Sequence, residues 1–161
     1  MKLTYFNVRG LAETTRMLFA INNQNGEREE YEDFRYPLEV IDMSTFNMKK
    51  EEFDNDKKEG KLVHSLNKLP FLEVDGVIIP QSKTIERFLA RRLGLMGNTE
   101  IENARIDSIC ECIRDFKDMY QKVRVAEDKE EAMNEWFTVT LVERLTLLEN
   151  LLDSDSFSVG S

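Results

Sequence analysis

The tightest constraint in this chain is a dipeptide, Asp75-Gly76, set between two short apolar runs. Phe71-Leu72-Glu73-Val74 precedes it and Val77-Ile78-Ile79 follows it. A two-residue turn of this type needs positive φ, which Asp and Gly tolerate, and its twist matches that of paired strands. The pattern therefore predicts a β-hairpin. Pro80 stops the sheet, since it has no amide hydrogen to give to a ladder. Beyond Gln81-Ser82 the apolar residues Ile85, Phe88, Leu89 and Leu93 fall at helical steps, with Ser82 as the expected N-cap. A helix starting just past a strand end leaves backbone N–H groups unpaired, which suits a carboxylate or a phosphate. Pro70 is placed to be a cis proline that turns the backbone of Leu69 outward.

The segments before the hairpin read βαβ. Lys2 to Phe6 is a short strand, Gly10 breaks it, and Leu11 to Ile21 is a helix with Leu11, Thr15, Leu18 and Phe19 broadly on one side. Asn22 to Gly26 is a loop and Glu30 to Arg35 a second strand. Pro37 to Leu66 is highly charged, and one short helix around Met48 to Lys58 is the only element expected there. Residues 94–99, Gly-Leu-Met-Gly-Asn-Thr, form a linker. After it the pattern is purely helical. Glu100 to Arg124 carries Ile106, Ile109, Ile113, Phe116, Tyr120 and Val123 at three- and four-residue steps, and Lys129 to Asp153 carries Trp136, Val139, Leu141, Leu145, Leu148 and Leu152. Two such helices with a short connection are expected to pack antiparallel. Residues 154–161 read as loop.

Composition removes several functions. With 22 Lys and Arg against 31 Asp and Glu the formal net charge is −9, which disfavours nucleic acid or an anionic membrane as a main partner. No apolar run reaches membrane-spanning length, and Met1 to Phe6 lacks the apolar core of a signal peptide. Cys110 and Cys112, two apart on a helix, point to different faces and read as reduced thiols of a cytoplasmic protein. One histidine, His64, and these two cysteines make no zinc pattern. A thioredoxin-type redox centre is excluded, because residues 1–30 contain no cysteine.

The chain resembles the glutathione transferases, and more specifically their sigma class. The resemblance rests on residues 2–13 (Lys-Leu-Thr-Tyr-Phe-Asn-Val-Arg-Gly-Leu-Ala-Glu), Leu72-Glu73-Val74-Asp75-Gly76, Gln81-Ser82 with Ile85, and Gly97-Asn98-Thr99-Glu100 leading to Ile106-Asp107. It implies an α/β thioredoxin-like domain over residues 1–93 with the cis proline before its third strand. It also implies an all-α domain over 100–161, partial because family members continue into further helices. Glutathione becomes the implied co-substrate, without a metal. Its thiol has a pKa near that of cysteine, about 8.5, so little is thiolate at neutral pH, and the thiolate is the nucleophile. The family tyrosine that stabilises this anion matches Tyr5. A shift of about 2 units corresponds to roughly 2.7 kcal/mol of preference for the thiolate.

By the same resemblance Gln81 and Ser82 hold the γ-glutamyl carboxylate, the backbone of Leu69 before Pro70 pairs with the cysteinyl part, and Lys68 lies beside it. Asp115 reaches the γ-glutamyl amine from the neighbouring subunit of a homodimer. Lys57 holds the glycine carboxylate through the match of Phe53-Asp54-Asn55-Asp56-Lys57 to the family's Trp-x-x-x-Lys, with Lys50 and Lys61 as alternatives. Val8, Leu11, Cys112 and Phe116 are candidates for a pocket taking a small hydrophobic electrophile or a peroxide. Three departures stand out: Leu11 replaces an arginine near the thiolate, Arg114 replaces a carboxylate, and the stretch between Arg35 and Pro70 is longer than usual. They leave a second reading open, a catalytically weak, transferase-like structural subunit of a larger assembly.

Overall fold

The structure, a computed structural model, describes residues 1–24, 29–42 and 47–152. The chain divides into two units, Met1–Leu95 and Met96–Ser161.

The first unit is built on a four-stranded sheet of order β2-β1-β5-β6, formed by β1 (Lys2–Phe6), β2 (Glu32–Tyr36), β5 (Phe71–Val74) and β6 (Val77–Pro80). β1 runs parallel to β2 and antiparallel to β5, and β5 and β6 form the hairpin turned at Asp75-Gly76. Asp75 and Gly76 both have positive φ, at 51° and 81°, as this turn requires. Leu3 and Leu72 on the central strands are fully buried. They meet Ala12 and Phe19 from the helical segment after β1, and Ile85 and Leu89 from α3 (Ser82–Arg92). Leu69–Pro70 is a cis peptide.

The segment after β1 starts as a 3-10 turn over Gly10–Ala12 and becomes α1 at Glu13–Gln24, so the regular helix begins two residues later than the apolar pattern suggests. Residues 25 and 26 of the expected loop lie outside the described residues. Pro80 is the last residue of β6, opposite Phe71, where its missing N–H costs no central ladder bond.

The charged stretch carries more structure than the single helix expected. β3 (Glu39–Asp42) and β4 (Asn47–Lys49) form a separate two-stranded sheet. The helix itself, α2, is confined to Glu51–Lys58. A second apolar cluster, Tyr36, Phe53, Leu62 and Phe71, joins α2 to the sheet. The Tyr36 hydroxyl donates to Asp56 Oδ2 at 2.6 Å and Lys61 Nζ lies 2.8 Å from Asp56 Oδ1. Burial, then the hydrogen bond to Asp56, holds the Tyr36 phenol well above its ordinary pKa.

The second unit is helical. α4 (Glu100–Arg124) is started by a capping box: Thr99 Oγ1 accepts from the Glu102 N–H, and the Glu102 carboxylate accepts from the Thr99 N–H. α5 (Lys129–Glu135) runs through a π-helical turn at Trp136–Thr140 into α6 (Leu141–Leu152). Trp136 is buried, with its ring 5.6 Å from that of Tyr120. The last part of the expected helix and the loop at 154–161 lie outside the described residues.

Candidate functional site

Sheet register assembles the site in the first unit. Thr4 pairs with Phe71, and Phe71 pairs with Pro80. One step further along each strand are Tyr5, Pro70 and Gln81. The exit of β1, the entry to β5 and the start of α3 therefore meet at one end of the sheet. Phe53 of α2 touches Phe6 and Tyr36 at that same end, with ring centroids 5.3 and 5.9 Å apart.

Tyr5 is buried, and its hydroxyl accepts a hydrogen bond from the Leu11 backbone N–H at 3.2 Å. A phenol that accepts from the protein keeps its own proton to donate outward. The turn that brings Leu11 there is unusually close. Gly10 has φ +46°, and a Cβ at Gly10 would sit 2.6 Å from Tyr5 Oη. A side chain at that position is excluded both by conformation and by space. The side chains of Val8 and Leu11, 37% and 41% exposed, flank this turn.

Gln81, not the expected Ser82, is the N-cap of α3, and its side chain makes no capping hydrogen bond. Ser82 is the first helical residue, so it adds its own N–H to the free helix end. The reason is the backbone of Gln81, at φ 74° and ψ 118°, a conformation in which a non-glycine residue is strained. This bend turns the chain abruptly from Pro80 into the helix. Gln81 is exposed and Ser82 half-buried. The first N–H groups of α3 form a positive helix end beside the Leu69–Pro70 backbone.

Of the three lysines considered for the α2 region, Lys61 is held between Asp56 and Glu59 at 2.8 and 2.7 Å. Lys50 Nζ lies 5.3 Å from the Phe53 ring centroid. Lys57 is exposed in the last turn of α2, and Lys68 is exposed just before Leu69. Asp115, Cys112 and Phe116 belong to the second unit. There they line a cavity of about 400 Å³ with Met119, Arg144 and Leu148. Asp115 is exposed. Among the described residues no cluster of His, Cys, Asp and Glu suits a metal ion, and no helix is long and apolar enough to cross a membrane.

Sequence reasoning passed over Arg16. Its side chain is only 10% exposed and donates to Asp33 Oδ2 (3.0 Å), Asp33 Oδ1 (3.4 Å), Val8 O (2.9 Å), Arg9 O (3.3 Å) and Glu13 Oε2 (3.3 Å). Burial works against its charge, but the Asp33 carboxylate outweighs that and raises its pKa. The available signal was a lone Arg in an otherwise uncharged stretch of helix, residues 14–21.

A thioredoxin-like sheet with its cis proline, followed by an all-helical unit, defines the fold class, and comparison with known proteins then settles the family. No family model matches the chain. The chain is 39% identical to hematopoietic prostaglandin D synthase of Gallus gallus over 160 residues, covering 99% of this chain and 70% of that protein. It is 34% identical to glutathione S-transferase 1 of Ascaris suum over 157 residues, covering 94% and 66%. Among solved structures, a monomeric glutathione S-transferase from Necator americanus superposes with a TM-score of 0.74 at 32% identity, covering 96% of this chain and 68% of that one. The chain belongs to the glutathione transferase family.

Proposed function

We propose that this protein is a glutathione transferase of sigma-class type, which holds glutathione at the exposed end of the first unit's sheet and activates its sulfur through Tyr5. The observation that carries the reading is the hydrogen bond into Tyr5. Because the Leu11 N–H already occupies a lone pair of the hydroxyl, the Tyr5 proton is available to a thiolate. The thiol proton passes to solvent. The sulfur then attacks an electrophilic atom of the second substrate, the new bond to sulfur forms, and the leaving group departs with its electron pair. A hydrogen bond made mainly to the anion lowers the thiol pKa, and each unit of lowering is a tenfold gain in thiolate below that pKa.

The remaining roles follow the chemistry of each position. Gln81, Ser82 and the α3 N-terminus suit the γ-glutamyl carboxylate. The backbone of Leu69 beside cis Pro70 suits the cysteinyl amide, with Lys68 next to it. Lys57 suits the glycine carboxylate, favoured over Lys61 because Lys61 is already neutralised by two carboxylates. Asp115 is assigned to the γ-glutamyl amine from the second copy of a homodimer. Val8 and Leu11, with Cys112 and Phe116, are assigned to the hydrophobic second substrate. A cytoplasmic location agrees with the thiols and with this chemistry. The names of the relatives, transferases and synthases, weigh against a purely structural subunit.

The protein should be retained on immobilised glutathione, and Tyr5→Phe should lower conjugation of an activated aryl halide about 10- to 100-fold near neutral pH while glutathione affinity changes little. Equal activity of the two proteins removes Tyr5 from the mechanism.

A further inference from the structure

We propose that Arg16 on α1, whose hydrogen bonds go to the turn and to Asp33, is a positioning residue for Tyr5, acting through the turn that follows β1. The proposal rests on the assignment of Tyr5 as the thiolate donor.

Tyr5 is oriented by one main-chain donor, the Leu11 N–H, at the far end of the turn Asn7 to Gly10. The geometry of that turn therefore sets whether the hydroxyl accepts from the protein and donates outward. The start of the turn is held where the Asn7 N–H donates to Tyr36 O at 3.0 Å and Asn7 Oδ1 accepts from the Leu38 N–H at 2.9 Å, but further along Arg9, which caps the 3-10 segment, makes no side-chain capping hydrogen bond. Arg16 supplies the support for Val8 and Arg9. One face of its guanidinium fork holds the carbonyls of Val8 and Arg9, and the other is bridged to Asp33 on β2. The turn is thereby tied to the sheet on which Tyr5 itself stands. Glu13 and Arg35 complete the cluster, Glu13 by accepting from Arg16 and Arg35 by donating to Asp33.

The fit at the other end is equally close. A Cβ at Gly10 would lie 2.6 Å from Tyr5 Oη, so the turn passes close to the hydroxyl and leaves no room for a side chain there. Lysine cannot replace this arrangement, because a single ammonium does not span two carbonyls and both carboxylate oxygens. The role is sharpened by Leu11. Its side chain offers no donor, so the backbone N–H is the only hydrogen-bond donor that residue brings to the site.

The test measures the pH profile of kcat/KM for conjugation of an activated aryl halide, the ultraviolet band of enzyme-bound glutathione thiolate, and glutathione affinity. Arg16→Gln and Arg16→Lys are each made alone and together with Tyr5→Phe. The expected result is an upward displacement of the profile by about half to one pH unit, a roughly 3- to 10-fold loss of thiolate at neutral pH, with affinity held within about threefold. In the Tyr5→Phe background neither substitution should displace the profile further, since coupled residues are not additive. A folded Arg16 variant with an unmoved profile overturns the proposal, as does an equal displacement in both backgrounds. If Tyr5→Phe alone leaves the profile unmoved, the assignment of Tyr5 fails first and is seen to fail separately. Where Arg16→Gln does not fold, Arg16→Lys carries the test, because it keeps the charge and most of the buried stem.

Discussion

At the scale of single residues the site depends on backbone positions as much as on side chains. Tyr5 was legible in the sequence only through the family resemblance of residues 2–13, since position alone marks it as an ordinary strand aromatic, whereas the cis peptide before Phe71 was legible from a lone proline at a strand entry. The Leu11 N–H was not legible, because a main-chain donor leaves no mark on residue type. It changes the meaning of the leucine, whose side chain lacks the charge of the arginine it replaces while its backbone still holds the tyrosine. Gly10 is the residue that permits this. Gly10→Ala places a Cβ against Oη and forces a left-handed alanine, so we expect a loss of about 1–3 kcal/mol in stability and at least a tenfold fall in conjugation. Urea unfolding and steady-state kinetics on the same preparation check both.

At the scale of elements the periodicities did most of the work, and they failed where packing was non-local. The β5–β6 hairpin and α3 follow from Asp75-Gly76 and the spacing of Ile85 and Leu89. The β3–β4 sheet was missed because Glu39-Val40-Ile41-Asp42 shows no alternation and Asn47-Met48-Lys49 is too short for its alternation to stand out. The tie between α1 and β2 was also invisible, since Arg16 and Asp33 are 17 residues apart. That tie has a pH signature. Burial alone would raise the Asp33 pKa, but hydrogen bonds from Arg16 and Arg35 hold it below its ordinary 3.8. A folded-state pKa below the unfolded one stabilises the fold above the unfolded value, and the stabilisation is lost as pH falls through the folded value. The stability gap between the protein and Asp33→Asn should thus be constant from about pH 7 to pH 5 and shrink below about pH 4. A gap that does not shrink refutes the ion pair. On α4, Thr99→Ala removes one half of the capping box and should cost about 1 kcal/mol, measured by urea unfolding.

At the scale of the molecule, both clusters of buried apolar residues found among the described residues belong to the first unit. α4 has no fully buried residue, and Trp136 anchors the helical unit. The first unit carries the stability on which the site depends. Leu89, 0% exposed between α3 and the sheet, is far from any polar site group. Leu89→Ala should cost about 2–5 kcal/mol and lower the melting temperature, with the kcat of the protein that remains folded unchanged. Thermal unfolding and activity at a temperature well below the transition check this.

The sequence alone determined the order of the main elements, the division into an α/β unit and a helical unit, and the family chemistry expected at Tyr5, Leu69 and Gln81. These rest on local patterns: alternation, helical spacing, turn residues and short motifs. Only the tertiary structure decided that Tyr5, Pro70 and Gln81 fall in one register row, that Gln81 rather than Ser82 caps α3, and that Arg16 reaches back to the Val8–Arg9 turn. Those facts depend on strand pairing and on contacts between residues distant in the chain, where distance and direction, not residue type, carry the information.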